Sequence, residues 1–216
     1  MNAFISFLAI LPGAFFAPII HEFVKARVSA ALGDPSPKKN GFITWNPLKF
    51  FEPIGFFMML YFHVGWGQPV TTSPFYYKDK RKGIALTYIA PIVTNLFVGM
   101  VSIFFVSLSA NFFFERAINF SLANESTWAI TLVQYFQRTV RVFGELNIRL
   151  AVFNLIPIYP MAMSKLLHIF VSPETSMRLN QNEKILQVLL FLLLMFGTLE
   201  IFISPVSNIF IRAVTL

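Results

Sequence analysis

Residues 4–25 read FISFLAILPGAFFAPIIHEFVK, and this stretch decides the fold. Its first part, residues 4–20, has no charged side chain and approaches the run of about 20 apolar residues that crosses a bilayer. It continues without a break into His21 and Glu22, and ionisable groups at membrane depth are costly and usually functional. Because no basic segment precedes the apolar run, the stretch predicts a first membrane helix, not a cleaved signal, with a polar site near its end.

The composition of the whole chain is that of an integral membrane protein. Of 216 residues, 56% are hydrophobic and 12% are charged, and the mean hydropathy is +0.66. A soluble domain carries about 25% charged residues. The net charge of +7 lies in short loops between apolar segments, which indicates cytoplasmic loops and contact with anionic lipids and disfavours nucleic-acid binding.

The residue types also limit the chemistry. There is no cysteine, so disulfides, thiolate metal sites and cysteine nucleophiles are excluded. Any transition-metal site would have to use His, Asp and Glu side chains. The three histidines are His21, His63 and His168.

The apolar segments predict an all-α polytopic membrane protein with about four to six membrane-embedded helices. We expect one domain over residues 1–216, with a core over about 4–172 and a C-terminal transmembrane helix at about 185–205. Asn40-Gly41 is a turn signal, and a short β-hairpin near residues 40–48 could follow from it.

Two basic loops set the orientation. Residues 25–49 and 75–83 are rich in Lys and Arg, so both are expected on the cytoplasmic side. The apolar residues 53–66 between them are too few for a full span, which favours a re-entrant segment over a crossing. In residues 128–159 four charged residues recur at helical spacing, which favours a surface-lying amphipathic start. They are Arg138, Arg141, Glu145 and Arg149.

The polar end of the first helix reads His21-Glu22-Phe23-Val24-Lys25. In a His-Glu-x-x-His helix, the two histidines share one face and bind zinc while the glutamate activates the metal-bound water. A catalytic zinc needs three protein ligands and one open position. Here the position of the second histidine holds Lys25, whose ammonium group is a poor metal ligand.

Three later stretches accompany the first one, HEFVKARVSAALGDPSPKKNGFITWNPLKFFEPIG. They are GWGQPVTTSPFYYKDKRKGIAL, YIAPIVTNLFVG and LNIRLAVFNLIPIYPMAMSKLL. In this order the four resemble the site-2-protease-like intramembrane zinc metalloproteases, in the compact bacterial branch without a PDZ domain. The resemblance covers about residues 15–170. It implies the family's helical membrane core, and a site built from the His-Glu helix and a distant aspartate.

The chain departs from the family where the metal would bind. The family's Leu-Asp-Gly stands here as Met161-Ala162-Met163, so the aspartate ligand is replaced by Ala162. Of the three ligands that the resemblance implies, His21 remains, beside Glu22. The resemblance therefore implies the family fold without catalytic zinc, and no other cofactor. We expect the Lys25 ammonium either to pair with Glu22 in place of the zinc charge or to reach toward the cytoplasmic interface.

The remaining candidate residues have structural alternatives. Asn154 and Pro157 match the family's Asn-x-x-Pro, which implies a groove for a partner or substrate, although they could simply shape a helix break. Asn95 is a further candidate for this groove, with a helix–helix hydrogen bond as the simpler interpretation. His63 and His168 could replace lost ligands, but a lone histidine in an apolar segment is more often a packing residue.

The sequence thus favours an inactive protease homologue, or pseudoprotease, that serves as an accessory subunit in a hetero-oligomeric membrane complex. Its partners would be other integral membrane proteins, and its location the bacterial cytoplasmic (inner) membrane. One alternative is an active site-2-type zinc protease with altered ligands. The other is a transporter or channel component, for which Glu22 and Glu200 are the main ionisable residues within apolar spans.

Overall fold

A computed structural model of the protein describes residues 3–125, 127–159, 161–167, 169–171 and 173–215. Within these ranges the chain forms α-helices and short 3₁₀ turns and no β-strand, which confirms the all-α class. The α-helices in chain order are α1 (Ala3–Ala31), α2 (Ser36–Lys39), α3 (Pro53–Phe62), α4 (Lys80–Ala123), α5 (Trp128–Phe153), α6 (Ala162–Leu167), α7 (Pro173–Gln181), α8 (Glu183–Met195) and α9 (Glu200–Val214).

Two helices, α1 and α4, are long and apolar enough to cross a membrane by themselves. Helices α8 and α9 pass the same test together but are bent by 74°, so the described residues hold two candidate spans, or three if the bent pair counts as one. These spans confirm an integral membrane protein. The sequence predicted more membrane-embedded helices, including α3 and α5. Neither qualifies as a membrane span, because α3 is too short and α5 carries too much charge.

Helices α1, α4 and α5 form the centre of the molecule. Leu146, Ile148, Leu150 and Phe153 of α5 are fully buried among them. The backbones of α4 and α5 approach closely where Gly99 meets Gly144, because a Cβ atom on Gly99 would lie 2.6 Å from the Gly144 carbonyl oxygen. Small residues at such crossings let helices pack tightly in a membrane, where apolar burial alone does not drive association.

Helix α5 runs antiparallel to α4 along much of its length. The Asn95 amide donates to Asn147 Oδ1 at 2.9 Å, and the Gln137 amide donates to the Ala110 carbonyl at 3.0 Å. Helix α5 therefore packs lengthwise against a candidate membrane span, and a surface position for the start of residues 128–159 stays a prediction. The charged residues of α5 recur at helical spacing, as expected. This spacing does not identify the neighbour against which the helix packs.

The segment after α1 is not a β-hairpin, and the expectation for residues 40–48 is wrong. Pro35 and Pro47 each begin a helical turn, and Asn46 caps the second turn by accepting a hydrogen bond from Leu48 N at 3.1 Å. Proline lacks the N–H that a strand ladder needs. The segment instead tucks Phe42 and Phe50 against the side of α1.

Helix α3 is only ten residues long, about 15 Å at 1.5 Å per residue, which is half of a bilayer core. Glu52 caps its first turn by accepting from Gly55 N, and His63, in the left-handed region at φ 56°, ends it. The chain then returns without helix to Gln68, whose N–H donates to the Phe50 carbonyl at 2.8 Å. The short helix and the return of the chain to Phe50 support the re-entrant interpretation of residues 53–66.

The single C-terminal helix expected at residues 185–205 is broken. Gly197 has φ +69°, its N–H donates to the Leu194 carbonyl, and the next N–H, of Thr198, donates to the Leu193 carbonyl. This pair of bonds is a Schellman motif, which ends a helix at a left-handed glycine. The motif produces the bend between α8 and α9 and places α8 near the polar end of α1.

Candidate functional site

The polar residues at the end of α1 face a cavity of about 680 Å³. His21, Glu22 and Lys25 line one side of it, although His21 and Glu22 are only 6% and 7% exposed. The returning segment contributes Trp66, Gly67 and residues 69–72. Apolar residues of α8 close the opposite side: Val188, Leu190, Phe191 and Leu194.

Glu22 and Lys25 form a direct ion pair. The Lys25 ammonium lies 3.1 Å from Glu22 Oε2 and 3.4 Å from Oε1. Both side chains are about nine-tenths buried, and Lys25 also lies 5.4 Å from the centre of the Tyr88 ring. Spacing on a helix therefore brings the two charges together, and Lys25 does not turn away toward the interface.

The Glu22 carboxylate has a second partner from the loop before α4. Val70 N donates to Glu22 Oε2 at 2.8 Å, and both groups are buried. Gly67 lies in the same loop, where a Cβ atom would come within 2.9 Å of the Pro18 carbonyl oxygen and 3.2 Å of the Glu22 side chain. Because Gly67 has no side chain, the loop can approach α1 closely. The Glu22 carboxylate is then held between Lys25 and the loop backbone.

His21 is held from behind by a chain of amides. Its Nδ1 atom is 3.2 Å from Asn95 Oδ1, and the Asn95 amide donates to the Ala17 carbonyl and to Asn147 Oδ1. The amide of Asn95 uses its nitrogen as donor in both bonds, so its oxygen accepts and His21 carries its proton on Nδ1. Asn95 lies behind the cavity wall and joins α1, α4 and α5, as the helix–helix interpretation expected.

Asn154 of the cavity wall contacts Ala162. Asn154 ends α5, lines the cavity, and accepts through Oδ1 from Ala162 N at 3.3 Å. Met163 N also donates to the Asn154 carbonyl at 3.0 Å. Asn154 therefore shapes the turn into α6, whereas Pro157 is exposed and does not line the cavity.

The donor atoms of the described residues do not fit a catalytic zinc. Among the described residues, no three His, Asp or Glu side chains lie close enough to hold a metal ion together. The Lys25 nitrogen is engaged with Glu22 as an ammonium group, and the Ala162 methyl offers no lone pair. His63 lies outside the cavity at the end of α3, and His168 lies outside the described residues.

A second polar cluster at the cavity was not predicted from the sequence. Lys165 of α6 lies 2.9 Å from Glu183 Oε1, at the start of α8, and its ammonium lies 4.2 Å from the centre of the Tyr159 ring. Burial, together with the charge and hydrogen bond of Glu183, raises the pKa of the Tyr159 hydroxyl. The cluster ties the first turn of α8 to the cavity rim. Lys165 and Glu183 are 18 residues apart in the chain, so the local sequence does not show that they meet.

Asp34 fixes the loop that carries the cavity wall. Its carboxylate accepts from Ser29 Oγ at 2.8 Å, from Ser36 N at 2.9 Å and from Ser73 N at 2.7 Å. Burial would raise the pKa of the Asp34 carboxyl, but these hydrogen bonds outweigh it and hold the pKa below its ordinary value. The Asp34 carboxylate therefore joins the end of α1 to the loop that contains Val70, whose N–H binds Glu22.

The fold and site together define a helical membrane protein with a polar His-Glu helix that faces a cavity. The chain is 29% identical over 164 residues to the Bacillus subtilis (strain 168) protein named Putative zinc metalloprotease YwhC. The match covers 76% of this chain and 69% of that relative. It shows distant homology to a site-2-protease-like metalloprotease. No family model and no solved structure matches the chain.

Proposed function

We propose that the protein is a catalytically inactive homologue of intramembrane zinc metalloproteases and acts as an accessory subunit of a larger membrane complex. The observation that carries the proposal is the Lys25–Glu22 ion pair at the position where the resemblance implies a zinc ligand. A buried carboxylate needs a positive partner, and the ammonium group provides one without a metal. The homology to a putative zinc metalloprotease indicates common descent. The donor atoms of the described residues argue against zinc catalysis by this chain.

The cavity gives this subunit a means of holding a partner. Its walls are largely apolar on the α8 side and polar around Asn154 and Thr72, a mixture that suits a transmembrane segment with a locally unwound backbone. Its partners would be integral membrane proteins, with anionic lipids against the basic loops and the bacterial cytoplasmic membrane as location. Asn154 would contact the partner directly, while Asn95 would support His21 from behind.

Metal content tests the loss of chemistry. The full-length protein, purified in mild detergent with zinc in the growth medium, is expected to contain far less than one zinc per chain. The double variant Lys25→His, Ala162→Asp restores the two donor types and is expected to gain zinc, with Lys25→His alone as the intermediate control. Stoichiometric, chelator-removable zinc in the unmodified protein would overturn the proposal.

The alternative of an active protease with altered ligands has one observation in its favour. His21 and Glu22, the remaining metalloprotease residues, both face the cavity. Cleavage of a transmembrane substrate in proteoliposomes separates the two functions. We expect no cleavage, with or without a chelator, and cleavage that disappears in the variant Glu22→Gln would establish the enzyme instead.

Purification at native expression tests the role as a subunit. After extraction in mild detergent, we expect the chain to migrate with defined membrane proteins, identified by mass spectrometry in constant ratio to it. A variant that fills the cavity from an exposed position of its wall, Val188→Trp, is expected to lose them while remaining folded. A monodisperse monomer without companions would contradict the role in a complex.

A further inference from the structure

Two loops, residues 32–52 and 73–79, meet at the end of the molecule where α1 ends and α4 begins. The Asp34 carboxylate joins them, because it accepts from Ser36 N in the first loop and from Ser73 N in the second. We use the name loop surface for the side chains of both loops that reach the surface, together with Arg27 of α1 and residues 80–82 in the first turn of α4. None of them lines the cavity.

The loop surface carries positive charge that ion pairs within the protein do not cancel. Residues 26–83 are all described, and in this range Lys82 is the cation that pairs with a carboxylate, that of Asp79 at 3.8 Å. Two other acidic residues, Asp34 and Glu52, stand against a larger set of cations outside any ion pair. This set is Arg27, Lys38, Lys39, Lys49, Lys78, Lys80 and Arg81. The surface therefore keeps a positive surplus after every acidic group nearby is counted.

The charges of the loop surface begin where the apolar runs of two candidate spans end. Helix α1 has no charged side chain over residues 4–20, and α4 has none over residues 83–114. Arg27 follows the first run by about 10 Å along the helix, at 1.5 Å per residue, and residues 80–82 directly precede the second. Because an apolar run of about 20 residues crosses the hydrocarbon core, these cations lie at the depth of the lipid headgroups.

Large aromatic side chains protrude from the same surface. Trp45 is 82% exposed and Phe75 is 77% exposed, and the Lys80 ammonium lies 5.8 Å from the centre of the Phe75 ring. Leu48 and Tyr76 are exposed beside them. Aromatic rings next to Lys and Arg are typical of the boundary between lipid and water, where the ring meets the acyl chains and the cation meets the headgroups.

Arg27 is the cation of this surface with the most constrained position. Its guanidinium carbon lies 4.9 Å from the centre of the Phe23 ring and 5.0 Å from the centre of the Trp45 ring, and the two ring centres are 5.2 Å apart. Its Nε atom is buried and has no hydrogen-bond partner among the described residues. A guanidinium group can bind two oxygens of one phosphate at once. The rings therefore hold Arg27 in place and leave it without an anion.

We infer that the loop surface binds headgroups of anionic phospholipids in the cytoplasmic leaflet, and that Arg27 holds a lipid phosphate directly. The surplus of basic residues favours headgroups of net negative charge, and Trp45 and Phe75 enter the boundary beside them. The inference deepens the lipid contact of the proposed function and rests on it for the side of the membrane. It does not depend on the state of the cavity, so zinc content and copurified proteins test the rest of that function separately.

Native mass spectrometry of the full-length protein, released from mild detergent, measures the binding of individual lipids. The probes are phosphatidylglycerol and phosphatidylcholine with identical acyl chains, so that both contain a phosphate and differ in net charge. We expect the first phosphatidylglycerol to reach half-saturation at a concentration at least fivefold lower than phosphatidylcholine. Inorganic phosphate in tenfold excess should not displace it, since it lacks the acyl chains that the exposed rings contact.

Variants locate the lipid on the protein. Arg27→Gln should weaken binding of phosphatidylglycerol at least threefold, and Arg27→Lys, which keeps the charge without the planar fork, should weaken it less. Arg116→Gln is the matched control and should change nothing. Arg116 also lies over a ring, 4.4 Å from the centre of Phe112, but near the other end of α4.

The double variant Lys38→Gln, Lys39→Gln tests the surplus charge at exposed positions, away from the stacked rings. We expect it to reduce the preference for phosphatidylglycerol over phosphatidylcholine at least twofold. The ratio of the two lipids within one variant is insensitive to a change in the amount of folded protein, so this test remains valid where a change at Arg27 lowers stability.

Four results would overturn the inference. Equal half-saturation by the two lipids would show that charge does not select the occupant. Equal weakening by Arg27→Gln and Arg116→Gln would show that no particular site holds the lipid. Unchanged binding in Arg27→Gln would remove Arg27 from the site. Displacement of phosphatidylglycerol by inorganic phosphate would make the occupant a free anion.

Discussion

The molecule contains two ion pairs on membrane helices that differ in nearly every physical respect. Glu22 and Lys25 are about nine-tenths buried, face a cavity, and share a further hydrogen bond from Val70 N. Arg141 and Glu145 have similar pairing geometry but are half and one-third exposed. The comparison shows that pairing distance alone does not reveal the role of a charge. Burial decides how much such a pair contributes to the stability of the chain.

Removing one partner of the buried pair should have the largest effect on stability. Lys25→Met leaves Glu22 as a buried carboxylate with the Val70 amide alone, and we expect a loss of about 3–5 kcal/mol in the free energy of unfolding. Unfolding by SDS in mixed micelles measures it. The double variant Lys25→Met, Glu22→Gln removes both charges and should be clearly more stable than Lys25→Met. A loss below about 1 kcal/mol for Lys25→Met, the range of an exposed pair, would remove the distinction between the two regions.

Asp34 should show an intermediate effect that depends on pH. Asp34→Asn weakens three hydrogen bonds to a carboxylate, and we expect a loss of roughly 1.5–3 kcal/mol at neutral pH. Because the folded-state pKa lies below the ordinary value of 3.8, this contribution is present above that pH and is lost as the pH falls through the folded-state pKa. The difference between the unmodified protein and the variant should therefore shrink in acid.

Unfolding titrations at neutral and acidic pH check the prediction for Asp34. Asp79 provides the control, since it caps α4 from an exposed position through Lys82 N, and asparagine caps a helix about equally well. Asp79→Asn should change stability little at either pH. A stability difference for Asp34→Asn that stays constant into acid would mean that the carboxylate is not what holds the loop.

The exposed pair should have the smallest effect. Arg141→Gln and Glu145→Gln should each cost about 0.3–0.5 kcal/mol or less in the isolated protein, which is typical of exposed pairs four residues apart on a helix. The same unfolding measurement applies. A loss comparable to that of Lys25→Met would show that partial exposure does not weaken this pair.

The sequence predicted that Glu22 and Lys25 lie within reach of each other at the polar end of α1, but it left open whether they pair. Lys25 follows Glu22 by three residues, so helical geometry nearly ensures that they can meet. The partners that come from elsewhere were not predictable in the same way. Val70 N and Asn147 reach the site through tertiary packing, and nothing in their local sequence marks them as contacts of Glu22 or Asn95.

The errors also have local causes. The Asn40-Gly41 turn signal favoured a hairpin, although Pro35 and Pro47 on either side favour turns over strands. The C-terminal apolar run predicted one continuous helix, although it contains Gly197, the glycine that ends α8. Gly197 has open space around its Cα, so its left-handed backbone and not crowding determines the break. The division of residues 1–216 into a single domain stays a prediction.

The charge that opposes Glu22 belongs to the same turn of helix as Glu22 itself. It is therefore present as soon as that turn leaves the ribosome, in fixed proportion to the carboxylate, and requires no carrier or uptake system to deliver it. A neighbouring carboxylate that depended on a bound ion would be exposed to fluctuations in the cell's supply of that ion. The positive charge beside this carboxylate therefore arises from translation and insertion of the helix alone.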